Sequence, residues 1–218
     1  AVIYYTTDGT EPTTSSSRYS DESGIPLIQN CVVKAIATKE GELFRSDVNT
    51  LDITHFQCAG PTANVVNKKI VLSCSTEDAV IYYSTDGSIP TEATGKRYSA
   101  PLPLSSDVSI YALAVKPNFN NSELQYFVYY YSDYKCVSPT FSREGNTLYV
   151  TSETADAKIY YTTDGTTPTS SSTEYTGGIS LTQNCQVQAI AIKSEDMYDS
   201  EVSSIDITHF TVAEPTFT

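Results

Sequence analysis

Apolar and polar residues alternate over short runs along this chain. NTLYVTSE (146–153) alternates in the manner of a half-buried strand. AKIYYTT (157–163) reads as the next strand, and Asp164-Gly165 then marks a turn. Asp can bond the local backbone there, and Gly accepts a positive φ. Pro168 and Ser170 to Ser172 extend the loop, and one short strand is expected from Tyr175 to Leu181. CQVQAIAIK (185–193) and SEVSSIDITHF (200–210) follow. With the opening segment Pro139-Thr140-Phe141, this makes roughly seven short strands and no helical period, the spacing of an immunoglobulin-like sandwich.

The same pattern recurs. Residues 3–13 read IYYTTDGTEPT, 81–91 read IYYSTDGSIPT and 159–169 read IYYTTDGTTPT. Asp8, Asp86 and Asp164 are each 78 residues apart (86 − 8 and 164 − 86). VKAIATK (33–39) returns as IYALAVK (110–116) and VQAIAIK (187–193), LDITHF (51–56) as IDITHF (205–210), and a Pro-Thr junction stands at Pro61, Pro139 and Pro215. Fixed-period self-similarity indicates a tandem array. The expected fold is all-β: immunoglobulin-like or fibronectin-III-like sandwiches arranged linearly. The expected domains are 1–59, a first module lacking its opening strands; 60–137, a second; 138–213, a third; and 214–218, the opening strand of a further one. Ala1 opens what is elsewhere an internal strand, so the chain is expected to be a window on a longer array.

IYYTTDGTTPT, then Tyr175, Ile179 and Leu181, then VQAIAIK, resembles the C-terminal accessory domain of chitobiase and β-hexosaminidase. That sandwich module also occurs in tandem in bacterial surface and secreted proteins. The resemblance covers nearly the whole chain, since each copy carries the pattern. It implies that Ile81 and Tyr83 face the core while Val80 and Tyr82 face outward, a division strand alternation itself requires. By the same alternation Val187, Ala189 and Ala191 turn inward, small enough for two sheets to approach closely. The first copy departs by a loop insertion: six steps separate Tyr19 from Ile25, against four from Tyr175 to Ile179.

Charge narrows the partners. With 13 basic and 26 acidic residues, the chain carries a formal −13. It repels phosphate backbones and anionic membrane surfaces, so neither nucleic acid nor membrane insertion is expected. No apolar run reaches spanning length.

The five cysteines are 31, 58, 74, 136 and 185. Cys136 enters the last copy and Cys185 lies inside it, so these two are expected to bond. The middle copy has Val108 where the last has Cys185, which leaves Cys58 to pair with Cys74 across a hairpin centred near Asn67. Cys31 is then unpaired in this segment. Such a framework implies an oxidising compartment; the alternative is five buried thiols.

Nothing else in the sequence carries chemistry at a recognisable spacing. Asp8-Gly9, Asp86-Gly87 and Asp164-Gly165 are expected to form turns. One carboxylate per turn falls far short of the six to eight oxygens calcium takes, and no metal or cofactor is expected. His55 and His209 are equivalent positions in two modules, which is a structural and not a catalytic arrangement. No serine sits in a nucleophile-elbow context. Tyr82, Tyr129 and Tyr131 are candidates for stacking on sugar rings, alongside Tyr4, Tyr160 and Tyr130, against ordinary cross-strand pairing. Asn120-Asn121-Ser122 matches a glycosylation acceptor.

Two functions fit. The first is a structural, non-catalytic repeat segment of an extracellular or cell-surface protein, the stalk or body of an adhesive fibre or filament. Its partners would be neighbouring copies of the module, within one chain or by head-to-tail strand donation. The second is a set of carbohydrate-binding accessory modules of a secreted glycoside hydrolase, with surface glycans as partners.

Overall fold

The structure is a computed structural model that describes residues 1–39, 44–193 and 197–208. His209 and the expected strand 214–218 lie outside the described residues. Strands dominate, and there is no α-helix among the described residues.

The third copy shows the whole design. Seven strands succeed one another: β12 (Thr140–Glu144), β13 (Thr147–Thr151), β14 (Lys158–Thr162), β15 (Thr173–Glu174), β16 (Ile179–Ser180), β17 (Cys185–Ile192) and β18 (Ser203–Ile207). They form two antiparallel sheets, β12-β13-β16 and β15-β14-β17-β18. Alternation decides what each contributes to the space between them. Leu148, Val150 and Ile179 come from one sheet, Ile159, Val187, Ala189 and Ile207 from the other, and Leu181 joins them just past β16. Val187, Ala189 and Ala191 are fully buried, as their inward register requires.

The short strand expected from Tyr175 to Leu181 is β16, and a second short strand, β15, immediately precedes that segment; the two serve opposite sheets. β15 pairs with β14 (Tyr160 opposite Glu174), whereas β16 pairs with β13 (Leu148 opposite Ile179). The chain crosses the sandwich between them, with Tyr175 N–H donating to the Ile159 carbonyl at 2.7 Å and Leu181 N–H to the Asn146 carbonyl at 2.8 Å.

The first copy consists of β1 (Val2–Thr6), β2 (Ser17–Arg18), β3 (Cys31–Thr38) and β4 (Asn49–Ile53), in the sheet order β2-β1-β3-β4. No second sheet covers it among the described residues, and Ile3 is 39% exposed where its counterpart Ile159 is 9%. The middle copy supplies β5 (Thr62–Val66), β6 (Lys69–Ser73), β7 (Val80–Ser84), β8 (Lys96–Arg97), β9 (Leu102–Pro103), β10 (Val108–Val115) and β11 (Gln125–Tyr129). These form the sheets β5-β6-β9 and β11-β10-β7-β8. Asn67 and Lys68 both have positive φ (49° and 62°), the two-residue turn that suits a tight hairpin between β5 and β6. Ile81 is buried, Tyr83 packs edge-on against Tyr98, and Tyr161 against Tyr175 repeats that pair in the third copy.

A serine recurs behind the long central strand of each copy. Ser46, Ser122 and Ser200 accept through Oγ from the main-chain N–H of Ala37, Ala114 and Ala191, at 2.8–2.9 Å. Each then donates to the carbonyl of the residue that follows it.

The chain divides into two compact units that do not follow the repeats. One comprises Ala1–Asn64, Leu72–Pro101 and Ser109–Phe127, and the other Val65–Val71, Leu102–Val108 and Val128–Thr218. The middle copy contributes to both.

Leu148→Ala should lower unfolding free energy by about 2–5 kcal/mol through lost burial and a residual cavity. Ser142→Ala, on the exposed side of β12, should stay within about 0.5 kcal/mol. Urea denaturation of the two variants beside the parent checks both.

Candidate functional site

The joints between successive copies are where polar side chains converge. The first joint lies wholly within the first unit. Asn30 ends the loop before β3, and its carboxamide clasps the linker main chain at two points. Phe56 N–H donates to Asn30 Oδ1 at 2.7 Å, and Asn30 Nδ2 donates to the Phe56 carbonyl at 2.8 Å. The loop Lys116–Asn121 of the middle copy closes on the same linker. Asn120 N–H donates to the Phe56 carbonyl at 2.8 Å, and Cys58 N–H donates to the Asn120 carbonyl at 3.0 Å, so linker and loop pair as parallel strands do. Asn30 N–H reaches the Asn118 carbonyl at 2.8 Å, and Asn120 Nδ2 the Thr54 carbonyl at 2.7 Å. Asn118 takes φ +61°, a left-handed conformation that Asn tolerates. Phe56 meets Phe119 edge-on at 5.7 Å, His55 stacks on Phe56 at 4.5 Å, and Lys116 Nζ lies 5.0 Å from the Phe119 ring centre.

The second joint, within the second unit, keeps the main-chain latch and changes the side chains. Tyr198 N–H donates to the Tyr134 carbonyl at 2.7 Å, and Cys136 N–H to the Tyr198 carbonyl at 2.8 Å. A 3₁₀ turn over Tyr131–Tyr134 carries the linker, and Tyr131 N–H donates to Asp107 Oδ1 at 2.8 Å. Tyr131 packs on Tyr198 at 4.9 Å, and Lys68 Nζ stands 5.2 Å from the Tyr198 ring centre. Lys135 pairs with Glu201. Their hydrogen bond raises the Lys135 pKa and lowers that of Glu201.

These placements revise the candidate stacking residues. Tyr129 faces inward, half-buried, 6.4 Å from Tyr134, and burial pushes its phenol up. Tyr131 is committed to the second joint. Neither is an open platform, because alternation along β11 turns Tyr126 and Tyr130 outward instead. Tyr82 lines a groove of about 480 Å³ with Lys116, Phe119 and Asn121, and Tyr160 lines a counterpart in the third copy. Asn120 Nδ2 and Ser122 Oγ, the two chemical groups of the glycosylation tripeptide, already hold main-chain partners.

None of the five cysteines is bonded in the structure. The Lys193 main chain, just past the end of β17, contacts the Cys136 sulfur, while Cys185 opens that strand. Seven strand steps put those ends roughly 20 Å apart, far beyond the span of about 7 Å between bridged Cα atoms. The Cys136–Cys185 pairing is therefore corrected. Cys58 and Cys74 are neighbours. Cys74 Sγ donates to the carbonyl of Ala59, the residue after Cys58, at 3.2 Å, and burial followed by the nearby Cys74 raises the Cys58 pKa. In the third copy Ser152 stands in place of Cys74, and its Oγ donates to the Val137 carbonyl at 2.9 Å. Cys31 pairs in register with Ile53, at the first joint.

Asp8, Asp86 and Asp164 accept through Oδ1 from both the N–H (3.0 Å) and the hydroxyl of Thr10, Ser88 and Thr166. Gly9, Gly87 and Gly165 follow at φ 77–85°. These bonds, side chain first, lower all three carboxyl pKa values. Among the described residues no group of three or more His, Cys, Asp or Glu is placed to hold a metal.

Beside the first joint runs an open groove of about 730 Å³, lined by Asp8, Gln29, Asn30, Asp52, Asn118 and Phe119 among others. In the third copy Gln186 donates to Asp206 at 2.9 Å. Val32 replaces that glutamine in the first copy, so Asp52 lacks this bond. The groove offers carboxylate and amide groups beside one aromatic ring.

Sequence reading missed Asn30, Asn118, Asp107 and Tyr198. Only the Gln-Asn-Cys triplet, repeated at 29–31 and 183–185, hinted at the first.

Asn30→Ala should cost about 1–3 kcal/mol, because it leaves the Phe56 N–H unpaired while the Phe56 carbonyl keeps its bond from Asn120 N–H; hydrogen exchange at the Phe56 amide checks it. The lowered carboxyl pKa values have a definite sign. The stability they supply is full above the usual carboxylate range and is lost as pH falls through the lowered folded values. Replacing Asp8, Asp86 and Asp164 together by Asn keeps the Oδ1 acceptors and should flatten the acid side of a melting-temperature profile.

The family described as chitobiase/beta-hexosaminidase C-terminal domain matches three times, at residues 1–50, 60–126 and 138–204. No curated protein matches. A crystal structure of Drosophila N-cadherin EC1-3 aligns over 94% of this chain and 87% of its own, at 12% identity and a TM-score of 0.22, too low to carry a likeness of fold. The chain belongs to the chitobiase/beta-hexosaminidase C-terminal domain family, as a tandem of its modules.

Proposed function

We propose that this chain is a non-catalytic structural segment of an extracellular or cell-surface protein, part of the stalk or body of a fibre. The observation that carries the reading is the first joint, where linker, preceding module and following module are fastened by at least five directed hydrogen bonds. A free hinge would leave the linker main chain to water. A spacer has to hold successive modules in place, and this linker is built to do so. The net charge of −13 favours solubility, and the nearness of Cys58 to Cys74 supports the reading of an oxidising compartment in which they bond. No helix among the described residues is long and apolar enough to cross a membrane.

A second reading is favoured by the groove at the first joint. Its amide, carboxylate and aromatic lining suits a neutral polyhydroxylated ligand, as an accessory glycan-binding module of a secreted hydrolase would need.

Small-angle scattering of the chain and of the Asn30→Ala/Asn120→Ala variant separates the two. For a spacer, the variant's distance distribution should broaden as the joint loosens. An unchanged distribution, together with saturable binding of soluble oligosaccharides lost in Phe119→Ala, would sink the spacer reading and support the second. Electron microscopy of material purified from the source should then show filaments for a spacer and discrete particles for an accessory module.

A further inference from the structure

We infer that Cys58 and Cys74 close a disulfide that ties the first linker to the module ahead, and that the second joint holds the same site with serine in one of its two positions. The redox state of the surroundings then governs the first joint and leaves the second alone. This rests on the extracellular reading only for where the bond forms in life, since the site itself follows from geometry.

The site is a turn that both joints repeat. Ala59 N–H donates to Thr76 Oγ1 at 2.8 Å, Cys74 Sγ to the Ala59 carbonyl at 3.2 Å, and Thr76 N–H to Cys74 Sγ at 3.4 Å. At the second joint Val137 N–H donates to Thr154 Oγ1 at 2.7 Å, Ser152 Oγ to the Val137 carbonyl at 2.9 Å, and Thr154 N–H to Ser152 Oγ at 3.3 Å. The three bonds correspond one to one, so Ser152 occupies the place of Cys74. The first cysteine corresponds as well. Cys58 and Cys136 are each 4% exposed. Their main-chain N–H groups make the latch to Asn120 and Tyr198, and the Lys116 and Lys193 main chains contact their sulfurs.

Capping the turn does not account for a thiol at position 74. A thiol is a weak donor, and serine serves the second joint with a shorter bond. What sulfur adds is the capacity to bond a second sulfur, and Cys58 immediately precedes the residue whose carbonyl Cys74 reaches. Burial first, and then the neighbouring Cys74, push the Cys58 thiol up.

Exposure fixes the order of events. Cys58 is buried and Cys74 half-buried, so a small external disulfide meets Cys74 first. The Cys74 thiolate attacks one sulfur of that disulfide, and one thiolate leaves. The Cys58 thiolate then attacks the Cys74 sulfur of the mixed disulfide, and the second thiolate leaves. Two protein thiols are oxidised and one small disulfide is reduced to two thiols. The two leaving groups take up the protons that the cysteines give up. Because burial keeps Cys58 protonated, the second step should quicken as pH rises.

The consequence lies in the linker. Asn30 of the module behind clasps Phe56, and the new bond anchors Cys58 just past the end of β6. The linker is then held by an amide behind and covalently ahead. At the second joint Ser152 denies Cys136 that anchor.

Oxidised glutathione is the probe, added to the full chain. Peptide mapping without reduction should find one linked pair of cysteines, Cys58 with Cys74. Ser152→Cys completes the second site and should gain a second link, from Cys136 to position 152, whereas Ser142→Cys on the exposed side of β12 should gain none. Hydrogen exchange of the oxidised and reduced parent reads the joints without any variant. The Cys58 and Asn120 amides should exchange several-fold more slowly when oxidised, and the Cys136 and Tyr198 amides should not change. Cys58 and Cys74 that remain separately alkylatable after oxidation would overturn the inference. So would a bond that leaves exchange at Cys58 unaltered, a bond that slows both joints alike, or a Ser152→Cys chain that gains no second link. None of these outcomes bears on the stalk reading, which the Asn30→Ala/Asn120→Ala scattering comparison tests in the reduced chain.

Discussion

A linker only a few residues long between two small sandwiches cannot leave its main chain unpaired, and that constraint organises the joints. Each linker N–H and C=O needs a partner from water, from the module behind or from the module ahead. Here the module ahead supplies two such partners at each joint, and at the first joint the module behind adds Asn30. The Asn120 and Tyr198 backbones bracket Phe56 to Cys58 and Tyr134 to Cys136 with the same two hydrogen bonds. Because the pairing is strand-like, direction and register come with it, and the position of one module on the next follows from backbone geometry before any side chain acts.

What the side chains add differs between the joints. Asn30 is a peptide mimic: its donor and acceptor occupy the Phe56 main chain as a neighbouring strand would. Tyr131, Tyr198, Lys68 and the Lys135–Glu201 pair do a related task with ring faces and charge. The ionic contribution is screened by salt and small at an exposed site. The amide clasp depends on geometry and is nearly indifferent to salt.

This difference explains what the sequence could disclose. Strand periodicity is a property of every residue in a run, so the core of the third copy and the inward row Val187, Ala189 and Ala191 were legible from alternation alone. The Asp-Gly turns were legible because glycine at positive φ and a short carboxylate are local requirements. The crossing between β15 and β16 was hidden, since two-residue strands leave no period to detect. Asn30 and Asn120 meet across 90 positions of sequence, and an asparagine in a loop looks like any turn residue until its partner is known. The Cys136–Cys185 pairing failed for the same reason. Membership of one module says nothing about which end of a strand each cysteine occupies.

The two joint types also bear on what the repeating unit is. Cys31 and Cys185, and His55 and His209, are 154 residues apart (185 − 31 and 209 − 55), two short of twice the 78-residue period. The two-residue insertion between Tyr19 and Ile25 accounts for that shortfall. Gln-Asn-Cys and Thr-His-Phe, the residues of the amide clasp, occur in the first and third copies and not in the second. The second instead carries the loop Lys116–Asn121 that the clasp receives, and the aromatic linker Tyr129–Tyr134. It also carries the uncharged β11, where its neighbours place Asp52 and Asp206. A module that differs from its neighbours at its joint, its linker and its edge at once has diverged in its contacts while keeping its core. The unit that carries contact information is therefore a pair of modules, and the single module is the unit of folding pattern alone.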